Sequence, residues 1–533
     1  MKRYDGWGDV EIRMDLPEAA LEILKERVGP ATPTRSIPLD AMLENVPAPR
    51  IPKTSKKFSF SPHDRFEHAH GHSLPDWVAM RSGTLKRFPD AVAMPSSEKE
   101  AEDAFAYADK HQMIVIPYGG GTSVVGHLSV PDTEAPVLSL SLEKMDHLIA
   151  LEPENMLATF GAGITGPALE AALAPHGYTL GHYPQSFDYS TLGGWVVTRS
   201  SGQQSLYYGR IEDLFAGGEM ITPRGKMNFP PYPASAAGPD LRHLVLGSEG
   251  RMGLLTRAMV RISRIPENDH VYGIFFPNWD AAVSAVFELA NEAVPLSMVR
   301  LSNPMETYTN LFLAGHEKQV GLLKSYLRLR GLKEENWCMM LLGLIGPSKL
   351  YSDGKRLANA IIRRHGGIST GRPMGDAWRK NRFRAPYLRN TLWEHGYAVD
   401  TLETATNWKQ VTPTMNAVEN AIATALDHIN EKVHVFTHLS HVYSSGSSIY
   451  TTYLFRLGRS PEETLERWHL LKSAASREIV AAGGTISHQH GVGEDHKCYL
   501  GAEKGSIGME VLNSVFSGLD PQNRMNPGKL MNP

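Results

Sequence analysis

Residues 113–121, MIVIPYGGG, join a short apolar run to three consecutive glycines, and this stretch decides how the first half of the chain folds. A short apolar run is typical of a buried strand. Consecutive glycines permit positive φ angles and expose backbone N–H groups that can hold a phosphate. The loop has the spacing neither of G-x-G-x-x-G nor of a Walker A loop, so a plain tight turn remains the simpler interpretation of these glycines alone.

Two further glycine loops follow. Residues 181–195 read GHYPQSFDYSTLGGW, and residues 247–250 read GSEG. Three such loops at predicted strand ends are difficult to explain as turns only. They indicate a backbone that is built to approach a ligand closely.

The elements around these loops mix strands and helices without a regular alternation. Ser96 or Ser97 is a predicted N-cap, because acidic residues follow it in the first turn. Strand-like segments are 137–142, 156–164 and 244–262, and a helix is predicted at 167–175. The pattern favours the α+β class.

A second region begins after Pro266. A strand followed by an amphipathic helix occurs at 271–293 and again at 337–367, which predicts a ferredoxin-like or similar antiparallel sheet. Near the C-terminus a strand is predicted at 442–457, then a long helix at 461–484 and a histidine-rich loop at 486–497. The predicted division is a lead-in at 1–85, with one helix at 16–26 and an exposed linker at 47–57, then domains at 86–266 and 267–440, and a segment at 441–533 that completes the active site.

Composition excludes several classes of protein. The chain has 54 Lys and Arg against 57 Asp and Glu, a formal charge of −3, so it lacks the basic excess of a nucleic-acid-binding protein. Two cysteines, Cys338 and Cys498, cannot form a disulfide framework, and a reducing compartment fits best. No targeting signal is visible, and the expected location is the cytoplasm, with membrane association left open.

Five motifs occur in order: PYGGGTSV, GAGITG, SFDYSTLGGW, TRSSGQQSLYYGRIEDL and GSEGRMG. This series resembles the FAD-binding domain of the vanillyl-alcohol-oxidase, or PCMH-type, flavoproteins. The resemblance to one branch, the alkyldihydroxyacetonephosphate synthases, runs from YDGWG at 4–8 to ISHQHGVG at 486–493 and covers nearly the whole chain.

The resemblance implies an α+β fold: a two-subdomain, PCMH-type FAD-binding domain and an antiparallel-sheet cap domain. It implies noncovalent FAD, with backbone N–H groups holding the pyrophosphate. His127 is either a flavin-linking residue or an ordinary loop histidine. The residues expected to hold FAD are Pro117, Gly119, Gly120, Gly121, Thr122, Ser123, Gln185, Ser186, Ser190, Thr191, Gly194, Arg199, Ser201, Gly202, Gly209, Ile211, Glu249 and Gly250.

The resemblance also implies an acid–base site beside the flavin. The family has three adjacent histidines where this chain has His488, Gln489 and His490. Tyr450 matches a tyrosine that faces the flavin, and Arg389 matches an arginine near the substrate phosphate. The expected catalytic residues are Tyr450, His488, His490, His182 and Arg389, and the expected substrate residues are Arg389, Lys497, Gln489 and Thr401.

A metal site is a second interpretation of the histidines, since His434, His438 and His441 form another cluster. We expect no metal, because the carboxylate that neighbouring dehydrogenases carry before the histidine loop is missing here. Histidine titrates near neutral pH and suits proton transfer.

The activity that the resemblance implies is the exchange of the acyl chain of acyl-dihydroxyacetone phosphate for a fatty alcohol. FAD is used without net redox change, through a flavin adduct. Segments 281–293 and 311–327 would line a tunnel for the chains, or simply pack in the core. The implied partners are a lipid or small-molecule substrate, a membrane surface touched peripherally and a second copy of the chain, with no nucleic acid.

Gln489 keeps a second activity open, because glutamine cannot act as a base near pH 7. This alternative is an FAD-dependent dehydrogenase or oxidase of a 2-hydroxy acid or polyol phosphate. A third alternative, from another class of protein, is a non-catalytic flavin-binding scaffold.

Overall fold

The structure is a computed structural model that describes residues 1–53, 57–313, 315 and 317–532. Its helices are α1 (Glu18–Arg27), α2 (Leu39–Glu44), α3 (Pro62–Glu67), α4 (Leu74–Ser82), α5 (Glu98–Lys110), α6 (Gly166–Leu173), α7 (Leu192–Thr198), α8 (Ser205–Tyr208), α9 (Ile211–Leu214), α10 (Arg242–Val245), α11 (Trp279–Asn291), α12 (Pro304–Leu313), α13 (Glu317–Leu329), α14 (Ser348–Arg364), α15 (Pro373–Asn381), α16 (Leu388–Glu394), α17 (Trp408–Thr424), α18 (Pro461–Ala481) and α19 (Lys497–Leu519), the last broken at Gly505.

Its strands are β1 (Phe58–Ser59), β2 (Ala91–Ala93), β3 (Ile114–Tyr118), β4 (Val137–Ser141), β5 (Leu148–Glu152), β6 (Leu157–Gly161), β7 (Tyr178–Thr179), β8 (Phe215–Thr222), β9 (Gly225–Phe229), β10 (Leu254–Arg261), β11 (Ser263–Arg264), β12 (Asn268–Phe276), β13 (Leu296–Ser302), β14 (Cys338–Gly346), β15 (Ile368–Gly371), β16 (Tyr397–Asn407), β17 (His434–Leu439) and β18 (Gly446–Arg456). Short 3-10 helices cover Ala174–His176, Glu334–Asn336, Ala385–Tyr387 and Asp427–Ile429.

The first sheet positions the first glycine loop. It has the order β1-β2-β4-β3, with β2, β4 and β3 parallel. The connection between β2 and β3 is α5, whose N-cap is Ser97: its hydroxyl accepts a hydrogen bond from the Glu100 N–H. Because β3 ends at Tyr118, the glycines begin directly at the edge of the sheet.

A second, antiparallel sheet has the order β5-β6-β10-β8-β9. The strand predicted at 244–262 is wrong in its first half, since α10 and a turn occupy this region and β10 begins at Leu254. The reason is local: Gly247, Glu249 and Gly250 all have positive φ, which a strand does not allow.

The cap domain is one seven-stranded antiparallel sheet, β15-β12-β14-β13-β17-β18-β16. The units β12-α11-β13 and β14-α14-β15 give the order of a split βαβ fold, as the two strand–helix repeats predict. The predicted α+β class and antiparallel cap are confirmed. The strand predicted at 442–457 begins later, at Gly446. The chain turns before it, and Val442 on the other side of the turn forms an isolated bridge with Ser447 of β18.

Both ends of the chain pack into the body of the protein. The lead-in contains α1 to α4 rather than the single predicted helix, and Leu74, Trp77 and Met80 of α4 are fully buried. Residues 54–56 of the predicted linker lie outside the described residues. At the other end, Met525 forms a parallel bridge with Val115 of β3.

The predicted boundary between residues 440 and 441 falls between two strands, β17 and β18, that are neighbours in the cap sheet. The four-part division remains a sequence-based proposal. Among the described helices, none combines the length and the apolarity that crossing a bilayer requires.

Candidate active site

One cavity of about 640 Å³ lies between the glycine loops and the cap sheet. Its walls include the loop after β3, the region of α7, and residues of β16, β17 and β18. The described parts of both domains therefore enclose a single space.

The first glycine loop has the properties of an anion cradle. Within the described part of the chain, the backbone N–H groups of residues 119–123 donate to no acceptor. A Cβ atom on Gly120 would lie 1.8 Å from the carbonyl oxygen of Tyr189, so no other residue fits there without a shift. Free N–H groups that line a cavity suit a pyrophosphate, and the residues present therefore fit FAD.

The second and third loops are fixed by side-chain hydrogen bonds. Ser190 accepts from the Trp195 indole N–H at 2.7 Å. The Glu249 carboxylate accepts from the backbone N–H groups of Val492 and Gly493, at 2.6 and 2.8 Å. Glu249 thus joins the third glycine loop to the histidine-rich loop near the C-terminus.

His127 lies beside the first loop. Its Nδ1 is 2.8 Å from the Ser123 hydroxyl, and its Nε2 is 3.1 Å from the Glu249 carboxylate. Both ring nitrogens face protein groups, which agrees with noncovalent cofactor binding.

Arg389 brings a cation to the cavity wall. Its Nη1 donates to the carbonyl oxygen of His72 at 2.6 Å, and the group lies over the Trp77 ring. Its Nε and Nη2 are buried and have no partner among the described residues. Burial lowers the pKa of Arg389 to about 10, so the group remains cationic at neutral pH and suits an anionic ligand.

Tyr450 stands on β18 in the same cavity. Its hydroxyl donates to Thr401 at 3.1 Å, its ring stacks on His438 with centroids 4.8 Å apart, and the His490 ring meets it edge-on at 5.8 Å. Burial raises the pKa of Tyr450 above its ordinary value. The hydroxyl therefore remains a proton donor at neutral pH.

A buried ion-pair cluster, which no sequence motif predicted, lies under Tyr450. The Glu306 carboxylate accepts from Arg300 Nη2 at 2.7 Å and lies 3.0 Å from His438 Nδ1. Burial alone would raise the pKa of Glu306, but His438 and Arg300 outweigh it and lower this pKa to about 2. A charged residue inside the largely buried strand LSMVRLS was the available sequence signal.

Glu403 of β16 binds the backbone of the histidine-rich loop. One carboxylate oxygen accepts from the backbone N–H groups of Gln489 and His490, at 2.5 and 2.8 Å. The side-chain oxygen of Gln489 is buried without a partner among the described residues. His441 lies nearby, and burial lowers its pKa to about 3, so it stays neutral.

Most of the predicted site residues line this one cavity. They are Pro117, Gly119, Gly120, Gly121, Thr122, Ser123, Gln185, Ser186, Ser190, Thr191, Gly194, Ser201, Glu249, Gly250, Arg389, Thr401, Tyr450, Gln489 and His490.

The structure does not bring three predicted polar residues to the cavity. His182 Nε2 is 2.8 Å from the Ser200 hydroxyl, and burial lowers the pKa of His182 to about 3. His488 Nε2 is held by Arg210 and Tyr443, at 2.6 and 2.7 Å. Lys497 donates instead to the carbonyl of Gly528.

Four predicted cofactor residues also lie outside the cavity wall, for local reasons. Arg199 points to Glu212, Gly202 packs on the backbone of Tyr183, and Gly209 and Ile211 flank Arg210.

Many side chains in the cavity wall are apolar. They come from the residues just before α1, from α1, α12 and α16, and from the cap sheet: Leu16, Ala20, Leu24, Met298, Tyr308, Phe312, Leu313, Leu388, Leu392, Val399, Phe436 and Leu454. The segment 281–293 packs instead in the cap core, as the alternative interpretation predicts. Of 311–327, Phe312 and Leu313 reach the cavity, and residues 314 and 316 lie outside the described residues.

No group of three or more His, Cys, Asp or Glu in the described ranges has the arrangement of a metal site.

Comparisons with known proteins agree with this geometry. The model of FAD binding domains matches residues 89–228, and that of the C-terminal domains of FAD linked oxidases matches residues 265–530. An alkyldihydroxyacetonephosphate synthase from Dictyostelium discoideum is 30% identical over 476 residues, which cover 88% of this chain and 77% of that protein.

Two solved structures are also similar. One of alkyldihydroxyacetonephosphate synthase has a TM-score of 0.84 at 26% identity, covering 99% of this chain and 98% of that one. One of p-cresol methylhydroxylase with substrate bound has a TM-score of 0.67 at 12% identity, over 98% and 99% of the two chains, which shows a shared fold. This chain therefore belongs to the family of alkyldihydroxyacetonephosphate synthases, and its cofactor is FAD.

Proposed function

We propose that this enzyme exchanges the acyl chain of acyl-dihydroxyacetone phosphate for a fatty alcohol and so forms an ether lipid precursor. One observation carries the proposal: a single cavity joins the glycine loops, the buried cation of Arg389 and a long apolar wall. The substrate has the same three parts: a reacting carbon that must meet the cofactor, a phosphate, and a hydrocarbon chain.

Arg389 binds the substrate phosphate in this proposal. Its guanidinium is preorganised by the His72 carbonyl and the Trp77 ring, and two of its nitrogens lack partners among the described residues. Hydrogen bonds between charged groups are stronger than hydrogen bonds between neutral groups. The phosphate would accept hydrogen bonds from these two nitrogens and so offset the free-energy cost of burying the Arg389 cation.

His490 and Tyr450 carry the proton steps. FAD, when bound, supplies the ring chemistry that lets one substituent replace another. His490 removes a proton from the carbon that bears the acyl group. The O–H that Tyr450 donates to Thr401 without substrate turns to the substrate oxygens when substrate binds, and the Thr401 hydroxyl can then donate to the Tyr450 oxygen.

The apolar wall receives the acyl chain and then the alkyl chain. Phe436 and Leu454 face it from neighbouring strands, and Leu24 and Leu392 close it from two helices. Burial of each methylene contributes roughly 0.8 kcal/mol, so a chain of ten carbons or more binds firmly there.

The test is turnover with a defined substrate pair. FAD-loaded enzyme is incubated with palmitoyl-dihydroxyacetone phosphate and hexadecanol, and the ether product is measured by mass spectrometry. We expect product in the wild type and a strong loss in Tyr450→Phe and His490→Ala. Absence of product with full flavin occupancy would contradict the proposal. Anaerobic bleaching by 2-hydroxy acids or polyol phosphates would then favour the dehydrogenase alternative, because ether synthesis needs no net flavin reduction.

We also propose a peripheral contact of α13 with a lipid surface, in an enzyme that otherwise resides in the cytoplasm. Leu322 and Leu329 are 73% and 85% exposed, next to the exposed Arg328, which pairs with Glu334, and α13 follows the helix that carries Phe312. Apolar and basic side chains on one exposed helix are typical of binding to anionic lipid. We expect co-sedimentation with phosphatidylglycerol vesicles that Leu322→Ser weakens.

A homodimer through α19 is the last part of the proposal. Ile507 and Val511 lie one turn apart and are 73% and 57% exposed. Light scattering after size exclusion should give a dimer mass, and Ile507→Ser should shift it toward the monomer. Each variant is a matched control for the other, since Leu322→Ser should leave the dimer and Ile507→Ser should leave vesicle binding unchanged.

A further inference from the structure

We propose that Glu403 is a positioning residue that holds His490 in the form of a base. The inference rests on the proposed function for the identity of the reaction. Its structural content, the orientation and tautomer of His490, can be measured without turnover.

The contacts of Glu403 point to the histidine-rich loop. The residue is 2% exposed, and one of its oxygens accepts both backbone N–H groups of Gln489 and His490. The same oxygen lies 3.6 Å from Nδ1 of His490. The second oxygen is buried and has no partner among the described residues. The carboxylate thus fixes the backbone of the loop and faces one side of the imidazole.

The register of the cap sheet explains this placement. Glu403 on β16 is directly opposite Tyr450 on β18, and Tyr450 is opposite His438 on β17. Residues directly opposite each other in antiparallel strands lie on the same face of the sheet. One row across three strands therefore carries a carboxylate, a phenol and an imidazole on the same face of the sheet.

A carboxylate at Nδ1 decides which ring nitrogen carries the proton. With N–H at Nδ1 facing Glu403, Nε2 keeps its lone pair for the cavity. The other titratable and charged groups that face His490 are Tyr450 from β18, His441 after β17, His488 on its own loop and His496 at the start of α19. Burial lowers the pKa of the three histidines well under neutrality, so they stay neutral, and Glu403 is the one carboxyl group among these neighbours of His490.

The proton step balances without a further reactant. The C–H bond on the carbon next to the ketone breaks, its electron pair is delocalised toward the ketone oxygen, and the proton moves to Nε2. His490 becomes cationic beside Glu403, which stabilises it. The proton is returned to the same carbon at the end of the exchange.

This arrangement also accounts for Gln489. The residue contributes its backbone N–H to Glu403, and any side chain can do that. The loop therefore tolerates glutamine where a base would otherwise be expected.

The experiment uses Glu403→Gln in the FAD-loaded enzyme. The amide oxygen takes the place of the oxygen that accepts the two backbone N–H groups, so the loop is retained, but the side chain no longer carries a negative charge. Without an anion at Nδ1 the ring proton moves to Nε2, and the base is lost. Nitrogen-15 chemical shifts of labelled histidine distinguish the two tautomers, and the His490 signal is assigned by its loss in His490→Gln.

We expect the Nδ1–H tautomer in the wild type and the Nε2–H tautomer in Glu403→Gln. We also expect kcat to fall at least 100-fold with KM changed less than about threefold, since general-base catalysis typically contributes 10²–10⁴. Glu403→Asp should keep the wild-type tautomer and recover part of the rate. The matched control is Glu431→Gln, a buried carboxylate that pairs with Arg456 and Arg467, which should leave the His490 signal unchanged.

An unchanged His490 tautomer in Glu403→Gln would overturn the inference. If that variant fails to bind FAD, Glu403→Asp decides: an Nε2–H tautomer there overturns it, and an Nδ1–H tautomer with partial rate supports it. A wild type that makes no ether product would contradict the proposed function alone, because the tautomer shift is measured without substrate.

Discussion

The guanidinium carbon of Arg389 lies 4.3 Å from the centroid of the Trp77 ring, and the indole is fully buried. The aromatic face holds the cation where water is excluded and leaves its N–H groups for an anion. We expect Arg389→Gln to raise KM for the phosphate substrate about 30-fold, equivalent to about 2 kcal/mol for hydrogen bonds to a charged group. Steady-state kinetics measures KM, and the flavin absorbance measures the FAD content of the variant. Arg384→Gln, an exposed arginine on the same segment, is the control and should change neither value.

Gly120 is the position in the first loop where a side chain would meet the closest backbone contact. A Cβ atom there would lie 1.8 Å from a backbone oxygen, which cannot move aside without displacing the second loop. Gly120→Ala should reduce FAD occupancy at least tenfold and lower the melting temperature. The ratio of flavin to protein absorbance reports the first effect. Gly501→Ala, in a helix with no atom within 4 Å of the new methyl group, should keep full occupancy.

The buried cluster of Glu306, Arg300 and His438 under Tyr450 should contribute to the stability of the fold. Glu306→Ala leaves Arg300 and His438 without their anion, and removal of one partner from a buried pair is strongly destabilising. We expect a loss of about 3 kcal/mol in the free energy of unfolding, measured by urea denaturation. Glu288→Ala removes a carboxylate from a surface pair with Arg364 and should cost much less, because solvent screens an exposed pair. Equal losses of unfolding free energy in Glu306→Ala and Glu288→Ala would contradict the view that Glu306 stabilises the buried cluster.

His434 links stability to pH. Burial, aided by Arg27, lowers its pKa in the folded state to about 4, against about 6.5 in the unfolded chain. As pH falls below 6.5 the unfolded state binds a proton that the folded state does not, so stability decreases toward pH 4. Between pH 7.5 and 5.5, His434→Gln should therefore lose about 1.4 kcal/mol less than the wild type. Urea denaturation at both values tests this, with exposed His63→Gln expected to behave as the wild type.

The glycine loops were predictable from sequence because their signal is local. Glycine runs at the ends of apolar segments specify a backbone conformation, and 117–123 lies at the cavity as expected. Local signals failed where glycines inside a predicted strand carry positive φ, as at 247–250. They also failed at 442–445, where the chain reverses before the strand begins.

The charged groups beneath Tyr450 depend on long-range packing instead. Glu306 lies 132 residues before His438 in the chain, and Glu403 meets His490 only through the register of β16 and β18. No spacing rule connects such positions. His488 shows the converse: its place in a conspicuous motif suggested catalysis, and the structure places its ring between Arg210 and Tyr443, outside the cavity wall.

The bridge between Met525 and Val115 has a consequence for biosynthesis. Asn526 donates to the carbonyl oxygens of His127 and Glu249, so residues 525 and 526 hold two parts of the flavin site together. Synthesis on the ribosome proceeds from the N-terminus, and domains usually fold as they emerge. The first domain lacks these contacts until residues 525 and 526 have been synthesised. We therefore expect a chain that stops before Met525 to bind FAD less firmly than the 533-residue chain.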